Sequence, residues 1–312
     1  MYDARIVEAT RSKRGAAPAM AEKLTVLIPT FNEEPNLPDC LASVEGLADE
    51  VLVVDSFSTD RTAELARAAG ARVIRHEYVN SAAQKNWAIP QCRHEWVFIL
   101  DADERMTAGL REEIRALLAA PGGPPFDGYF VVRRNFFLGG EIRHCGWQAN
   151  DVQRLFKRGL GRYAEREVHA DVVVSSGRSG RLRGKLDHVT CPGTLEGLNR
   201  YLQRFNRYTT QAAERYHREG RRPRLPNMVL HPAWEFFRMY FLRLGFLDGI
   251  PGLVVCAFSA FTRFVRYVKL YARIRSGLPP PARYDRGTTQ AREIDGVPDA
   301  RAKKAGSESA AK

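Results

Sequence analysis

The sequence predicts an α/β protein with a doubly wound, mostly parallel sheet and a helical C-terminal extension. Through the first 120 residues, short apolar runs of strand length alternate with segments whose apolar residues recur at helical spacing. Three of the apolar runs lead directly into polar residues, at Pro29-Thr30, at Asp55-Ser56 and at Asp101-Ala102-Asp103. The carboxyl ends of parallel strands meet at one edge of a sheet, where ligands bind, so these residues predict a site at that edge.

Four strands are predicted from apolar runs rich in β-branched residues, at residues 24–29, 50–55, 71–76 and 95–101. The segments between them predict helices, because apolar residues recur at helical spacing, as Leu37, Leu41 and Val44 do. The helix after the second strand has Ser58 or Thr59 as its predicted N-cap and Gly70 as its C-cap. Residues 107–123 predict a further helix with a Gly/Pro stop.

After Gly128 the pattern changes to strands and turns, which predict a mixed extension of the same sheet. From Thr194 onwards apolar residues recur at helical spacing. We therefore divide the chain into a disordered leader, a catalytic α/β domain, an amphipathic helical extension and a disordered tail. Their predicted bounds are 1–22, 23–193, 194–275 and 276–312.

The charge and the cysteine content of the sequence indicate which kinds of binding partner and cellular compartment suit the protein. The formal net charge of +12 and the pI of about 9.7 favour polyanions as partners, meaning nucleic acid, nucleotides, phosphorylated glycans or an anionic bilayer. The five cysteines are scattered and form no C-x-x-C pair, which suits a reducing cytosol and argues against a disulfide framework or a zinc site. The first 20 residues contain no apolar core of a secretory signal.

The segment FILDADERM, residues 98–106, ends a predicted buried strand in a cluster of carboxylates. Asp101 and Asp103 either cap the next helix or hold a divalent metal, because hard cations take carboxylate oxygens together with substrate phosphates. Asp55 occupies the end of a neighbouring strand, where nucleotide-binding sheets often hold a ribose or a base edge. Lys85, in QKNWA before the fourth strand, could neutralise a diphosphate. Neither a G-x-G-x-x-G nor a G-x-x-x-x-G-K-[ST] motif is present, which argues against dehydrogenases and P-loop NTPases.

The order PTFNEE, VVDSFSTDRT, QKNWA and FILDADER resembles glycosyltransferase family 2, the inverting enzymes of the GT-A type. The variant DSFSTDRT…QKNWAI…LDADER is most similar to the branch that adds glucose in β-1,4 linkage to the lipopolysaccharide inner core. The resemblance covers about residues 23–275. It implies a GT-A fold, a UDP-sugar donor, and Mn²⁺ or Mg²⁺ as a Lewis acid on the departing nucleotide diphosphate.

The resemblance also implies roles for individual residues. Asp55 would bind the uracil or ribose end of the donor, and Lys85 and Asn86 would face the diphosphate. Asp101 would lie by the ribose and the metal, and Asp103 would be the main metal ligand. The residues of the first loop that would border the nucleotide are Pro29, Thr30, Asn32 and Glu33.

The catalytic base is left open by the sequence. Inverting transfer needs a carboxylate that takes the proton of the acceptor hydroxyl. Asp151, in GWQANDVQRLF, matches a segment of the family and is the favoured candidate; Glu167 is the second, and Glu165 and Asp171 are the other carboxylates considered. Ala170 follows His169 where the branch carries V-H-E, so this sequence has no carboxylate at that position. His169 and Arg154 are possible contacts of the acceptor or the diphosphate, and His188 is weighed in the same way as His169.

The C-terminal helices predict contact with a membrane. Thr262–Arg275 carries five basic residues, no acid and an apolar stripe, which is typical of a helix lying on an anionic bilayer. The preceding apolar stretch is interrupted by Asp248, Gly249 and Pro251, so we expect the chain to lie on the membrane instead of crossing it. The packing of this helix on the catalytic domain, with its charges in water, is the alternative.

The leading hypothesis is therefore a metal-dependent glycosyltransferase at the cytoplasmic face of the cytoplasmic membrane. It would move a sugar, with glucose favoured, from a UDP-sugar to a lipopolysaccharide-core or other lipid-linked glycan. Transfer to polyprenyl phosphate is an alternative, and so is a catalytically altered protein that binds nucleotides or polyanions. A nucleotidyltransferase would need a basic, Gly-rich first loop, and no nucleic-acid-binding signature is present.

Overall fold

The computed structural model describes residues 22–164 and 171–279. The predicted leader and tail lie outside this part of the chain, except for residue 22 and residues 276–279. The described strands are β1 (Leu24–Thr30), β2 (Glu50–Asp55), β3 (Arg72–Arg75), β4 (Trp96–Ile99), β5 (Glu104–Met106), β6 (Gly128–Phe137), β7 (Gly140–Ile142), β8 (Asn150–Lys157), β9 (Gly161–Tyr163), β10 (Val172–Val174) and β11 (Ser179–Cys191).

Nine of these strands form one sheet in the order β3-β2-β1-β4-β8-β6-β11-β5, with β7 paired to β6. β1 pairs in parallel with β2 and β4, and β2 with β3, as the sequence predicts. β8 then pairs antiparallel with both β4 and β6, so the predicted mixed extension is also confirmed. β9 and β10 form a separate two-stranded ribbon.

The helices cover both faces of the parallel part of the sheet. Every residue of β4 is fully buried, which explains why its sequence is a continuous apolar run. The two core clusters place Leu37, Ala66 and Leu110 against one face and Ala82 and Ala88 against the other. The helices are α1 (Leu37–Ala42), α2 (Thr62–Ala68), α3 (Ser81–Ala88), α4 (Ala108–Leu118), α5 (Leu195–Arg218), α6 (Leu225–Phe237) and α7 (Gly249–Arg275).

The predicted N-cap of α2 is wrong. The helix begins at Thr62, and the carboxylate of Asp60 accepts hydrogen bonds from the Thr62 N–H and hydroxyl. Ser58 and Thr59 are drawn away from the helix because they bond to the first loop: the Asn32 N–H donates to Ser58 Oγ over 2.9 Å, and the Thr59 N–H donates to Asn32 Oδ1 over 2.8 Å. The two loops that follow β1 and β2 are thereby fastened together.

β11, a strand of 13 residues, was not predicted from the sequence. It carries charges and two glycines, and such a segment has no clear apolar alternation. Gly184 is required because α4 passes close by: a Cβ at this position would lie 2.4 Å from the Leu110 Cα. β11 therefore forms because it pairs in parallel with β6, which is distant in sequence, and not because its local composition favours a strand.

The C-terminal helices pack on the sheet and on each other. α5 and α7 meet through stacked rings, with Tyr201 on Phe258 and Phe205 on Phe261. Gly249 and Pro251 lie in the first turn of α7, where proline is tolerated, so the expected interruption falls at the start of the helix and not within it. The segment Gly245–Arg275 is long and apolar enough, by length and composition, to span a membrane, and an 18-residue stretch within it has a mean hydropathy of 1.5. Between α6 and α7 the chain forms a π turn, Arg238–Leu242, and a 3-10 turn, Gly245–Asp248.

Candidate functional site

The carboxyl ends of β1 and β2 hold Thr30 and Asp55 side by side, because these two residues are partners in the parallel register. Asp55 is fully buried and accepts hydrogen bonds from the Ser58 N–H over 3.1 Å and from the Thr30 hydroxyl over 3.4 Å. Arg75 of β3 lies 3.8 Å from its carboxylate. Asp55 therefore organises the loop after β2 from beneath the edge of the sheet.

The first loop adopts a conformation that fixes its polar residues. Asn32 has a φ of 54°, a left-handed conformation that asparagine tolerates better than most residues. Its amide oxygen accepts the bond from Thr59, so it joins two loops. Glu33 accepts a bond from the Asn36 amide over 2.7 Å, and burial and the nearby Asp103 raise the pKa of Glu33. Pro29, at the end of β1, is partly exposed beside this loop.

A cavity of about 170 Å³ opens between the first loop and α5. α5 brings arginines to it at positions separated by one and two helical turns. The guanidinium of Arg207 also lies over the Phe31 ring, 5.9 Å from its centroid. The cavity thus has a cationic wall opposite the loop that was predicted to border the nucleotide. Its lining includes Phe31, Asn32, Glu33, Arg200, Arg204 and Arg207.

Asp101 follows β4 and is held by two cations. Lys85 Nζ, from α3, lies 2.7 Å from one carboxylate oxygen, and Arg154 Nη2 donates to the other over 2.9 Å. Burial opposes the charged form of Asp101, but Lys85 and Arg154 outweigh it and hold its pKa well below its usual range. Burial likewise opposes the charge on Lys85, yet the adjacent Asp101 raises the pKa of Lys85. Both oxygens of Asp101 are therefore committed to cations, which does not favour its predicted role as a metal ligand.

Glu104 contacts both Asp101 and Arg154 and fixes the turn between Asp101 and Asp103. It is fully buried, and its carboxylate accepts a bond from the Asp101 N–H over 3.0 Å and one from Arg154. Arg133 of β6 lies 3.6 Å from the same carboxylate. Arg154, predicted as a possible contact of acceptor or diphosphate, is thus a buried link between two carboxylates, with only 4% of its surface exposed.

Asp103 is more open than Glu104 and points toward β11 and α5. Its Oδ2 lies 3.2 Å from Arg204 Nη1 and 3.5 Å from His188 Nε2. Burial raises the pKa of Asp103, but His188 and Arg204 outweigh this effect and lower it to about 2. Burial lowers the pKa of His188, and the neighbouring Asp103 outweighs it, so that the pKa is raised. Asn135 Oδ1 lies 2.8 Å from His188 Nδ1 and so orients the ring with Nε2 toward Asp103.

The side chain of Asn86 holds the β9–β10 ribbon against α3. Its amide donates to the Tyr163 carbonyl over 3.0 Å and accepts from the Tyr163 N–H over 2.8 Å. The Tyr163 ring in turn lies under Lys85, with 5.1 Å between Nζ and the ring centroid, and its hydroxyl lies 3.4 Å from Arg154. Asn86 therefore positions Tyr163 beside the charged cluster formed by Lys85, Asp101 and Arg154. Its amide oxygen and nitrogen both bond to the Tyr163 backbone.

The structure does not bring Asp151 to this cluster. Its carboxylate lies 2.8 Å from Arg181 of β11, and 40% of its side chain is exposed. In the pairing of β8 with β6, Asn150 is opposite Arg133 and Asp151 is opposite Val132. Side chains alternate between the faces of a sheet, so Asp151 lies on the face opposite to the one where Arg133 meets Glu104. The other predicted residues, Glu167 and His169, lie outside the described residues.

Two features of the site were missed by the sequence analysis. Arg204 belongs to α5, which was assigned to the helical extension, yet it contacts Asp103 across 101 residues of sequence. A possible signal was the spacing of Arg200, Arg204 and Arg207 along one face of a helix. His188 was considered only as one possible contact among others, and its strand was not predicted. In the described ranges 22–164 and 171–279, no three His, Cys, Asp or Glu side chains form a ready metal site.

Comparison with known proteins identifies relatives over most of the chain. The family model described as Glycosyl transferase family 2 matches residues 25–179. The lipopolysaccharide core biosynthesis glycosyltransferase LpsC of Rhizobium meliloti is 32% identical over 261 residues, which make up 80% of this chain and 92% of LpsC. An uncharacterized glycosyltransferase of Rickettsia typhi is 28% identical over 80% of this chain and 87% of its own length.

Solved structures give weaker matches. Residues 1-349 of TarS from S. aureus, in complex with UDP-GlcNAc, have a TM-score of 0.40 and 13% identity, covering 88% of this chain and 100% of that one. Glucosyl-3-phosphoglycerate synthase from Mycobacterium tuberculosis has a TM-score of 0.35 and 20% identity, covering 54% and 72% of the two chains. Because both scores are below 0.5, the assignment of this chain rests on the sequence matches.

Proposed function

This chain belongs to glycosyltransferase family 2, and from that premise we propose that it transfers a sugar, with glucose favoured, from a UDP-sugar to a lipopolysaccharide-core or other lipid-linked glycan. The acceptor hydroxyl would attack the anomeric carbon as the bond to the nucleotide diphosphate breaks, with inversion. The observation that carries the proposal is the charged cluster at the carboxyl edge of the sheet. There, Lys85 and Arg154 each meet a different oxygen of Asp101, while His188 and Arg204 both meet Oδ2 of Asp103.

The residues around Asp103 fit a divalent cation. A carboxylate oxygen and an imidazole nitrogen 3.5 Å apart can converge on one ion, and the Asn135 bond to the other ring nitrogen fixes the tautomer that such binding needs. We assign the metal to Asp103 and His188, and leave Asp101 to position Lys85. The imidazole favours Mn²⁺ over Mg²⁺, because Mg²⁺ in proteins is bound by oxygen atoms. When bound, the metal supplies Lewis-acid stabilisation of the charge on the leaving diphosphate.

The remaining residues of the cluster would bind and orient the donor. Lys85 is buried, so its charge acts at short range on a diphosphate that approaches Asp101. Arg204 pairs with Asp103, and its guanidinium is suited to a phosphate oxygen when the donor brings its own negative charge. Asp55 and Asn32 hold the two loops that would border the nucleoside.

For the catalytic base we favour Glu167 over Asp151. Asp151 is paired with Arg181 on the far face of the sheet. Glu167 lies outside the described residues, and the described residues on either side of positions 165–170 meet beside the cluster: the Ala164 N–H donates to the Asp171 carbonyl over 3.0 Å, and the neighbouring Tyr163 contacts Lys85 and Arg154.

The Glu167→Gln variant is expected to lose about 10²–10⁴-fold in kcat, the usual contribution of general-base catalysis. The Asp151→Asn variant, which removes the charge of the exposed pair with Arg181, is the matched control and should stay within about threefold of the unaltered enzyme. Initial rates at saturating donor and acceptor measure both. The reverse ranking, with Asp151→Asn strongly impaired and Glu167→Gln active, would return the base to Asp151.

We place the reaction at the cytoplasmic face of the cytoplasmic membrane. Two observations support this location: the similarity to a lipopolysaccharide core enzyme, and the apolar C-terminal helix. The net charge of +12 suits an anionic surface and a phosphorylated acceptor. Turnover with a truncated lipopolysaccharide, compared with turnover with polyprenyl phosphate, distinguishes the proposed acceptor from its alternative.

A thermal-shift panel of nucleotide sugars, with and without Mn²⁺, tests the donor. A ligand that binds only the folded state at 100 times its Kd stabilises the protein by about 2.7 kcal/mol. We expect a UDP-sugar to raise Tm, and to raise it further with Mn²⁺ than with Mg²⁺. GDP-glucose, which shares the diphosphate and the sugar of UDP-glucose and differs only in the base, is the control for base recognition. A protein whose Tm no nucleotide sugar changes is not the proposed transferase.

A further inference from the structure

The C-terminal half of the molecule carries a hairpin with two different faces. We call residues 225–253, from the start of α6 through the π and 3-10 turns into α7, the apolar hairpin. Its inner face packs on the sheet, where Met239 joins Phe137 and Cys145 in a buried cluster. Its outer face is exposed and almost wholly apolar. The exposed large apolar residues of the hairpin are Leu225, Val229, Leu230, Trp234, Phe237, Phe241, Leu242, Leu244, Phe246, Leu247, Ile250 and Leu253.

The exposed charge on residues 225–275 has one sign. Between residues 225 and 275 the sequence contains two acids, Glu235 and Asp248. Both have their partners inside the structure: Glu235 pairs with Arg238 and Arg263, and the carboxylate of Asp248 accepts hydrogen bonds from the backbone N–H groups of Arg143 over 3.2 Å and His144 over 2.9 Å. The solvent-exposed surface of α6 and α7 therefore consists mainly of apolar side chains and cations, and it contains no exposed carboxylate.

The hairpin is attached at the edge of the sheet that holds the candidate site. β6 runs in the same direction as β4, since both pair antiparallel with β8, so its end lies at the carboxyl edge. Asn135 near that end orients His188, and Phe137 two residues later is covered by the hairpin cluster. The Asn135 amide also donates to the carbonyl of Trp147, whose ring packs against the same cluster. On β6, the residue that contacts the candidate site, Asn135, is thus only two positions before the residue that the hairpin covers, Phe137.

We propose that the apolar hairpin inserts its outer face into the interfacial region of an anionic bilayer, and that this face, not the basic stretch Thr262–Arg275, is the main membrane anchor. The exposed cations match anionic headgroups, and the large apolar side chains match the boundary with the acyl chains. A protein partner would more often meet a rim of mixed charge. This inference extends the proposed function, because a membrane anchor would hold the enzyme next to a lipid-linked acceptor. It rests on the proposed function only for the identity of that acceptor.

The packing of α7 favours insertion along the surface over crossing. Val255 and Cys256 are buried against the sheet cluster, and Lys269 Nζ binds α5 at Asn206, Thr209 and Thr210 over 2.7 to 2.8 Å. Arg273 lies 3.4 Å from Glu214 of the same helix. A crossing α7 would have to leave these partners or carry the charged helix α5 into the hydrocarbon, which is costly. Several cations of the predicted basic stripe are thus already bound within the protein.

Flotation of the full chain with vesicles tests the proposal, using phosphatidylcholine with about 30% phosphatidylglycerol and, for comparison, phosphatidylcholine alone. The hairpin variant is Leu247→Ser with Ile250→Ser, at positions that are 57% and 75% exposed. Its matched control is Val173→Ser with Leu195→Ser, which are 55% and 74% exposed but lie elsewhere. We expect the hairpin pair to reduce the vesicle-bound fraction by about tenfold or more, because two large apolar side chains lose their transfer from water. The control pair should bind as the unaltered chain does.

A third pair, Phe264→Ser with Ile274→Ser, probes the basic stretch and is expected to bind within about threefold of the unaltered chain. A larger loss from this pair than from the hairpin pair overturns the proposal. It is also overturned if the hairpin pair floats normally, or if it only changes the molar mass in solution, which would make the face an interface between copies of the chain. Flotation needs neither donor nor acceptor. A chain that floats through its hairpin but binds no nucleotide sugar therefore keeps this inference and refutes the proposed function.

Discussion

Replacing Asp103 with asparagine is expected to lower sugar transfer by about a thousandfold or more, because the variant keeps the shape of the side chain and removes its charge. The carboxylate is the group shared by His188 and Arg204, at 3.5 and 3.2 Å. Without it, the imidazole alone remains to hold a divalent ion. Two measurements check the result: kcat/KM with the donor found in the thermal-shift panel, and calorimetric titration of Mn²⁺ in the presence of UDP. The titration should lose its signal together with the activity.

Asp187→Asn is the matched control for Asp103→Asn. Asp187 is also a half-buried aspartate paired with an arginine, since Arg134 Nε donates to it over 2.7 Å. It directly precedes His188 in β11 and so points to the opposite face of the sheet. We expect this variant to bind Mn²⁺ normally and to stay within about threefold of the unaltered rate. Equal losses from both substitutions would mean that Asp103 matters for folding and not as a ligand.

The parts of the fold that could be predicted from sequence are those whose signal is local. β2 was predicted with its observed bounds, Glu50–Asp55, because a strand buried on both faces is a continuous apolar run. Asp55 and Asp101 were placed at the site because they directly follow such runs. The sheet order was not predictable in the same way. β11 lies beside β6 and β5 through pairing between residues more than 50 positions apart, and no local pattern specifies that pairing.

The same limit explains which site residues were missed. Glu104 was visible as part of an acidic cluster, but its partners Arg133 and Arg154 come from two strands that are adjacent only in the folded sheet. Arg154 lies at a shift in the register between β6 and β8, where Tyr129 pairs with Leu155 and the next residue, Phe130, pairs with Gln153. Arg154 is the extra residue in between. A bulge of this kind re-aims a side chain, and simple alternation along β8 does not predict it.

The burial of Arg154 leads to a large expected effect on stability. Arg154→Met should lower the free energy of unfolding by about 3–5 kcal/mol, because removing one partner of a buried ionic group leaves uncompensated charge. Asp101 would keep Lys85. Glu104, which is fully buried, would keep the hydrogen bond from the Asp101 N–H, but the nearest cation would be Arg133 at the longer distance of 3.6 Å. Urea unfolding, with the midpoint and slope fitted for each variant, measures the difference.

Arg181→Met tests whether the loss at Arg154 comes from buried charge. Arg181 pairs with Asp151 at 2.8 Å, but 62% of its side chain is exposed, so the same substitution should cost at most about 1 kcal/mol. Adding Glu104→Gln to Arg154→Met removes the unpaired carboxylate and should restore part of the stability, since a neutral amide is less costly to bury than a charge. If the two single variants unfold at the same urea concentration, or if Glu104→Gln brings no recovery, the cluster is not held together by its buried charges. In that case Asp101 and Asp103 must owe their position to the packing of the strands alone.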